Sequence, residues 1–312
     1  MVERLRYSIA FTVLLWASGA SFAASIPPPA DPFVVVLGIA QDGGVPQAGC
    51  RKECCASGIR RLVSSLALVD PQTGERWLFD ATPDFPEQLR RLDSIEAPLL
   101  ARWLTGVFVS HAHIGHYTGL MFLGREVMGT SGVPVFALPR MYDFLNKNGP
   151  WDQLVRLGNI SLVRLEAGVP VRLNERLAVT PILVPHRDEY SETAGFRIQG
   201  PQKAVLFIPD IDKWERWDRR IEQFVAGVDA AYIDGTFFAD GEIPGRNMSE
   251  IPHPFIEETM LRLKDLPAEQ KARVHFIHLN HTNPALVSGG SARQAIERAG
   301  YHVAEELERF GL

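Results

Sequence analysis

Three closely spaced histidines are the residues of this sequence best suited to chemistry. They stand in the segment Ser110-His-Ala-His-Ile-Gly-His116, and the whole chain has 9 histidines. His111 and His113 are two positions apart, so on an extended segment both side chains face the same way. His116 follows where we expect the chain to turn into a helix over residues 117–128. A strand end that leads into a helix can aim three imidazoles at one ion, and imidazole suits zinc, iron, copper and nickel.

Three further candidates stand directly after short apolar runs. These are His186, Asp210 and His278. Functional groups gather at strand ends in layered α/β folds. Taken singly, His186 and Asp210 are equally consistent with ordinary turn residues. Their order and their common position after predicted strands indicate one site that also includes the histidine cluster.

The elements that must position these residues alternate along the chain. Short runs rich in β-branched residues predict strands, and longer mixed segments predict helices. Such an alternation favours an α/β class with layered sheets. Residues 301–312 also have helical propensity. Strands are predicted at 33–40, 65–70, 77–80, 107–110, 133–138, 160–165, 177–184, 194–198, 204–208, 230–234 and 274–278, and helices at 85–92, 117–128, 141–146, 214–224 and 255–263.

The N-terminal residues indicate export. Arg4 and Arg6 precede an apolar stretch over residues 7–16, and small residues at Ser21 and Ala23 fit a cleavage site. We therefore expect a signal peptide at 1–23, a proline-rich linker at 24–32 and one domain at 33–312. The mature protein is then periplasmic or secreted, with an uncleaved membrane anchor as the alternative.

The composition of the chain limits the classes of partner that we expect it to bind. The chain is 46% hydrophobic and 22% charged, as in ordinary globular proteins. Its net charge of −5 gives no reason to expect nucleic acid, because binding phosphate backbones needs a basic face. No later segment is apolar enough to span a bilayer, so we expect no integral membrane span after signal cleavage. A small-molecule substrate is the partner expected.

The ordered pattern of histidines and aspartate resembles the metallo-β-lactamase superfamily. The resemblance covers nearly the whole mature chain and implies a four-layer αβ/βα sandwich with a metal site between the two sheets. It also implies that residues 301–312 form an edge strand, against their local helical propensity. It further implies one metal at His111, His113 and His186, a second at His116 and His278, and Asp210 as a bridge between them.

One position departs from the superfamily pattern. The family usually has an aspartate just before the third histidine, and this chain has Gly115 there. The second site loses a carboxylate ligand, so we expect it to be weaker, filled by something else, or empty. On this interpretation Gly115→Asp raises the occupancy of the second site.

Several motifs resemble one branch of the superfamily, the pyrroloquinoline quinone biosynthesis protein B branch. They are residues 37–50 (LGIAQDGGVPQAGC), 207–210 (FIPD), 234–237 (DGTF) and 276–284 (FIHLNHTNP). That branch is cytoplasmic and lacks the full histidine cluster, whereas this chain keeps the cluster. The glycine-rich loop and the cysteines also resemble the phosphonate-pathway cyclic phosphodiesterase.

The chain has 3 cysteines, Cys50, Cys54 and Cys55. Thiolates with an imidazole form the closed tetrahedral set that structural zinc takes. His281 lies three residues after His278, so a turn there can send one histidine to each site. In the related phosphodiesterase the cysteines hold a structural zinc with the later histidine of the pair. Export favours oxidation, so a disulfide from Cys50 to Cys54 or Cys55 is the alternative.

Three functions are consistent with this pattern. The first is a hydrolase of a small ester, lactone or phosphodiester, in which one or two zinc ions activate a water and Asp210 orients it. His253 is then a candidate to protonate the leaving group, or alternatively a surface turn histidine. The second is an oxygenase of the pyrroloquinoline quinone protein B type, with iron, and manganese is a further possible metal. The third is a metal-binding protein without catalysis. Asp212, Trp214 and residues 187–190 are weaker candidates for the rim of the pocket.

Overall fold

The predicted strands form two layers in the computed structural model, which describes residues 31–56, 58–98 and 103–312. The proposed signal peptide at 1–23 and the linker up to residue 30 lie outside these residues. Within them, fourteen strands are assigned: β1 Phe33–Gly38, β2 Ser65–Asp70, β3 Glu75–Phe79, β4 Gly106–Phe108, β5 Val133–Ala137, β6 Ile160–Arg164, β7 Val171–Arg172, β8 Ala178–Val184, β9 Thr193–Gln199, β10 Ala204–Ile208, β11 Ala230–Asp234, β12 Val274–Ile277, β13 His302–Val303 and β14 Arg309–Gly311.

The helices are short. They are α1 Glu53–Ala56, α2 Phe85–Ile95, α3 Ile114–Tyr117, α4 Pro139–Lys147, α5 Trp151–Arg156, α6 Ile221–Ala226, α7 Ile256–Arg262, α8 Ala268–Lys271 and α9 Ser291–Arg298, with 3₁₀ turns at Thr118–Leu123, Trp214–Arg216, Met248–Glu250 and Pro284–Leu286. No helix among the described residues is long and apolar enough to cross a membrane.

Each sheet has one face on the partner sheet and one on helices. The strand order is β14-β1-β2-β3-β4-β5-β6 in the first sheet and β13-β12-β11-β10-β9-β8-β7 in the second. Alternation along β1 separates the two faces: Val34 and Val36 belong to the core shared by the sheets, and Val35 and Leu37 to a core shared with α2, α4 and α5. This is the predicted αβ/βα sandwich, and the fold class is confirmed.

Aromatic rings join the sheets near the strand ends. Phe79 of β3 stacks on Phe108 of β4 with ring centroids 5.1 Å apart. Phe196 of β9 lies 5.4 Å from Phe79 and 5.6 Å from Phe108. A backbone link also ties β1 to β12, because Leu279 N donates to Ile39 O at 2.8 Å. These contacts hold the carboxyl ends of strands from both sheets at one edge.

Two predicted helices are shorter than expected. The segment 117–128 is a single turn of α3 followed by a 3₁₀ turn, because the backbone at Gly119 packs against Ala81 and leaves no room for a Cβ. The segment 214–224 is split before α6, because Trp214 and Trp217 donate separately to Thr259 Oγ1 and Leu183 O.

The C-terminal segment is not helical. β13 pairs with β12 at the edge of the second sheet and β14 with β1 at the edge of the first, so residues 301–312 contribute an edge strand to each. Local helical propensity is overridden here by the backbone hydrogen bonds that both edges offer.

Candidate metal centre

The candidate ligands lie together at the edge where strands of both sheets end. His111 and His113 follow β4, His186 follows β8, and Asp210 and His278 follow β10 and β12. β10, β11 and β12 are parallel, so their carboxyl ends share this edge. The structure therefore brings together the six residues that the sequence predicted as metal ligands.

The first group consists of His111, His113 and His186. One ligand-type atom from each lies within 4.8 Å of the others. His111 Nδ1 is 3.0 Å from Ser110 Oγ, and His113 Nε2 is 3.0 Å from Glu189 Oε2. The opposite nitrogens, His111 Nε2 and His113 Nδ1, face each other at 2.8 Å. Both rings are thus held from outside with one nitrogen directed inward.

Asp210 is the centre of the arrangement. Its side chain is 3% exposed, and five imidazoles surround it. The carboxylate Oδ2 is 2.8 Å from His116, 3.3 Å from His278 and 3.6 Å from His111, while Oδ1 is 3.5 Å from His253 and 3.8 Å from His186. One carboxylate therefore contacts both predicted metal groups, as a bridging ligand would.

The second group contains a residue that the sequence interpretation missed. Asp42, in the glycine-rich loop after β1, lies with Oδ1 3.2 Å from His116 Nε2 and 3.8 Å from His278 Nε2. A Cβ at Gly115 would overlap the Asp42 carboxylate and lie 2.7 Å from its Cα. This clash argues against the expectation that Gly115→Asp raises second-site occupancy, because Asp42 already occupies the space beside position 115.

Further carboxylates fix the rings from behind. Asp80 Oδ2 is 2.7 Å from His116 Nδ1, and Asp234 Oδ2 is 2.7 Å from His253 Nδ1. Thr236 Oγ1 is 3.0 Å from His278 Nδ1. Carboxylates and hydroxyls behind ligating imidazoles set the tautomer and the ring orientation. Asp80 follows β3 and Asp234 is the last residue of β11, so the strand-end argument that selected His186 applies to them as well.

Backbone strain accompanies the site. Asp80 and His278 have φ values of 68° and 64°, in the left-handed region that non-glycine residues seldom adopt. Such conformations cost about 1–3 kcal/mol each and persist where the surrounding structure imposes them. Here the strain turns each side chain from the end of its strand towards the cluster.

The buried polar atoms of the cluster fit a metal ion. Within the described residues, Asp42 Oδ1 and the Nε2 atoms of His116, His186 and His278 are buried and make no hydrogen bond. Buried polar atoms are nearly always satisfied in native proteins. Lone pairs of nitrogen and oxygen that converge in this way are the donor set that zinc and similar cations take.

The pKa values follow from burial and from the carboxylates. Burial lowers the pKa of His111 well below its usual value, so its imidazole is neutral and suited to ligation. At His116 burial acts in the same direction, but Asp80, Asp210 and Asp42 outweigh it and raise the pKa well above the usual value. The second group thus favours a positive charge, whether a proton or a metal ion.

A cavity of about 580 Å³ lies beside the cluster. Its lining includes Asp42, His253, Arg187 and Arg246. His253 is 5% exposed, so it is not the surface turn histidine of the alternative interpretation. Burial alone would lower the pKa of His253, but Asp234 raises it to about 9. Its Nδ1 is engaged by Asp234, and Nε2 is the nitrogen left for the cavity.

Of the residues expected at the rim of the pocket, only some line the cavity. Arg187 lines the cavity. Asp212 instead lies 3.3 Å from His186 Nδ1 through Oδ1 and helps to position that ring. Trp214 is buried and donates to Thr259.

The cysteines and His281 form a separate group. One ligand-type atom each from Cys50, Cys54, Cys55 and His281 lies within 4.8 Å of the others. Cys54 and Cys55 share the single turn of α1. His281 Nδ1 is 2.9 Å from Asn280 Oδ1, which leaves Nε2 for an ion. Structural zinc stays the proposal for this group, with a disulfide as its alternative.

Comparisons with known proteins agree with this architecture. The family model described as "Beta-lactamase superfamily domain" matches residues 75–276. Coenzyme PQQ synthesis protein B of Methylobacterium nodulans is 29% identical over 309 residues, which covers 87% of this chain and 97% of that protein.

Two solved structures show the same fold. Zn²⁺-bound PqqB from Methylobacterium extorquens has a TM-score of 0.75 at 23% identity and covers 90% of this chain and 100% of its own. A diphosphatase from the PhnP family has a TM-score of 0.62 at 18% identity, with 90% and 97% covered.

Replacing His111 and His113 together by alanine should remove metal from the first group. The fold should persist, because the cores between and outside the sheets do not depend on these two side chains. Elemental analysis and circular dichroism measure the two effects, and His302→Ala, an exposed histidine on β13, is the matched control. Unchanged metal content in the double variant would show that the ligand assignment is wrong.

Cys50→Ser should remove one zinc ion and lower the unfolding temperature, while metal at the first group stays. The reason is that binding of a structural metal is coupled to folding free energy. Elemental analysis and thermal unfolding provide the measurements. Native mass spectrometry of the wild type decides the alternative: a mass two hydrogens short, with one titratable thiol, indicates a disulfide and no zinc.

Proposed function

Because the chain belongs to the β-lactamase superfamily domain family, we propose that it is a metal-dependent hydrolase of a small anionic ester. The observation that carries the proposal is the convergence of buried imidazoles on Asp210 beside a cavity lined by two arginines. A divalent cation held there would lower the pKa of a bound water and polarise the scissile group. Zinc is the metal we propose, at one or two positions, and the zinc-bound PqqB structure supports this choice.

The residues of the chain then have distinct tasks. Asp210, as a buried carboxylate at the centre of the cluster, accepts a hydrogen bond from the attacking water and so orients it. His253, held through Nδ1 by Asp234, donates a proton from Nε2 to the leaving group. Asp210 is then the proton-accepting group and His253 the proton-donating group beside one cavity, as general acid–base chemistry needs.

The cavity favours a phosphodiester over a neutral ester or lactone. Arg187 and Arg246 are exposed on its lining. Guanidinium groups bind phosphate oxygens in a bidentate manner. The diphosphatase with the same fold supports this choice of substrate class. The signal-peptide motif supports a periplasmic or secreted location for the enzyme.

An oxygenase in cofactor biosynthesis is the second candidate. A coenzyme PQQ synthesis protein B is related over nearly its whole length. A set of histidines with one carboxylate also suits iron. The metal and the co-substrate distinguish the two: hydrolysis proceeds with zinc and without oxygen, and an oxygenase consumes oxygen with bound iron.

The zinc-loaded protein should hydrolyse bis(p-nitrophenyl) phosphate. The double variant Arg187→Gln with Arg246→Gln should lower kcat/KM for this substrate about tenfold or more, because charge-assisted hydrogen bonds to the phosphate are lost. Hydrolysis of neutral p-nitrophenyl acetate should change little. Steady-state kinetics with Arg156→Gln on α5 as control provide the comparison. Oxygen uptake by anaerobically purified, iron-containing protein, without any ester hydrolysis, would rule out the hydrolase.

His253→Asn should lower kcat for phenyl phosphodiesters by about 10²–10⁴-fold, the usual contribution of a general acid. The loss should shrink as the leaving group becomes more acidic, because p-nitrophenolate leaves without a proton. Rates across a series of substituted phenyl esters measure this dependence. An equal loss for all leaving groups would mean that His253 has only a structural role.

A further inference from the structure

We propose that Asp42 supplies the carboxylate of a second metal ion, in place of the residue before the third histidine, and that the centre therefore binds two catalytic-site ions. The ligand set is Asp42, His116, His278 and Asp210. This inference rests on the metal centre of the proposed function. It replaces the expectation, drawn from Gly115, of a weakened or empty second site.

The four histidine–aspartate separations among these ligand atoms are compatible with one ion. His116 Nε2 lies 3.2 Å from Asp42 Oδ1 and 2.8 Å from Asp210 Oδ2, and His278 Nε2 lies 3.8 Å and 3.3 Å from the same oxygens. Ligands at 2.0–2.1 Å from a tetrahedral zinc are separated from one another by about 3.3 Å. The observed separations lie on either side of that value.

The ligand atoms are also free for a cation. His116 and His278 each use Nδ1 for a contact behind the ring, with Asp80 and Thr236. Their Nε2 atoms and Asp42 Oδ1 are buried without a hydrogen bond within the described residues. Two imidazole lone pairs and two carboxylates facing one another repel unless a positive charge lies among them.

The backbone explains why Asp42 takes this position. The loop after β1 turns back on itself, with Gly44 N donating to Gln41 O at 2.7 Å and Gln41 N donating to Leu279 O at 2.9 Å. These bonds press the Cα of Asp42 against position 115, where a Cβ would come within 2.7 Å of it. A side chain at 115 and the Asp42 carboxylate therefore exclude each other. Asp42 can take this position because residue 115 is a glycine without a side chain.

The rival interpretation is an ion pair. Asp42 would then neutralise a protonated His116, and the second group would bind no metal. On that interpretation, removal of Asp42 leaves the metal count unchanged, and a new carboxylate at position 115 is the only way to gain an ion.

The test compares variants of the full mature chain by metal stoichiometry. Each protein is stripped with dipicolinate and titrated with Zn²⁺ by calorimetry, and the bound ions are counted by native mass spectrometry. Asp42→Asn keeps the side-chain shape, and Gln41→Ala, a neighbour on the cavity lining that offers no carboxylate, is the matched control. Zinc at the cysteines contributes equally to all of these proteins, so differences between variants count the second site.

We expect Asp42→Asn to weaken one zinc site by more than about 100-fold, beyond the roughly 10–100-fold effect of residues that only support ligands. Gly115→Ala should weaken the same site, although it neither adds nor removes a ligand, because its Cβ displaces Asp42. Gly115→Asp should not exceed the wild-type count. Thermal unfolding of both Gly115 variants identifies any loss of fold, and Asp42→Asn tests the inference independently of them.

An unchanged count and affinity in Asp42→Asn, or a higher count in Gly115→Asp than in the wild type, would overturn the inference. Either result leaves a hydrolase with one catalytic-site ion intact. The proposed function itself fails separately, if the double alanine variant of His111 and His113 binds as much metal as the wild type.

Discussion

A buried carboxylate surrounded by imidazoles is the interaction on which the rest of this structure depends. Asp210 lies almost wholly out of solvent, with five histidine rings between 2.8 and 3.8 Å away. An isolated charge in such a place would cost several kcal/mol. The imidazoles compensate for it, and they in turn need a cation or protons between them. The chain therefore has to hold six side chains from distant segments in one precise arrangement.

The two-sheet architecture meets this requirement with rigid parts. Strands from both sheets end at one edge, and stacked phenylalanines together with the backbone link from Ile39 to Leu279 keep the sheets in register. Behind the ligands, Asp80 and Asp234 fix the rings of His116 and His253. The strained backbone at Asp80 and His278 is tolerated because the surrounding strands impose it. Positioning of this kind is what a metal centre needs from its scaffold.

Gly115 shows how a departure from a family pattern can mislead when it is considered alone. In the sequence it is a missing carboxylate. In the structure it is the space through which another carboxylate, Asp42, reaches the same histidines. The two positions are 73 residues apart, and no periodicity or local motif connects them. The helix expected over 117–128 is likewise shortened by a contact with a distant strand end, at Ala81.

The sequence by itself determined the strand pattern, a layered α/β class and the six histidine and aspartate candidates, and the family resemblance implied the αβ/βα sandwich. It could do so because burial periodicity and ligand chemistry are local properties of the chain. Only the tertiary structure decided that Asp42 joins His116 and His278, that Asp80 and Asp234 support the rings, and that His253 is buried beside a cavity with Arg187 and Arg246. The same holds for the division of residues 301–312 between two sheet edges. These relations depend on the close approach of segments far apart in the chain, and such approaches are set by the packing of the two sheets rather than by any segment alone.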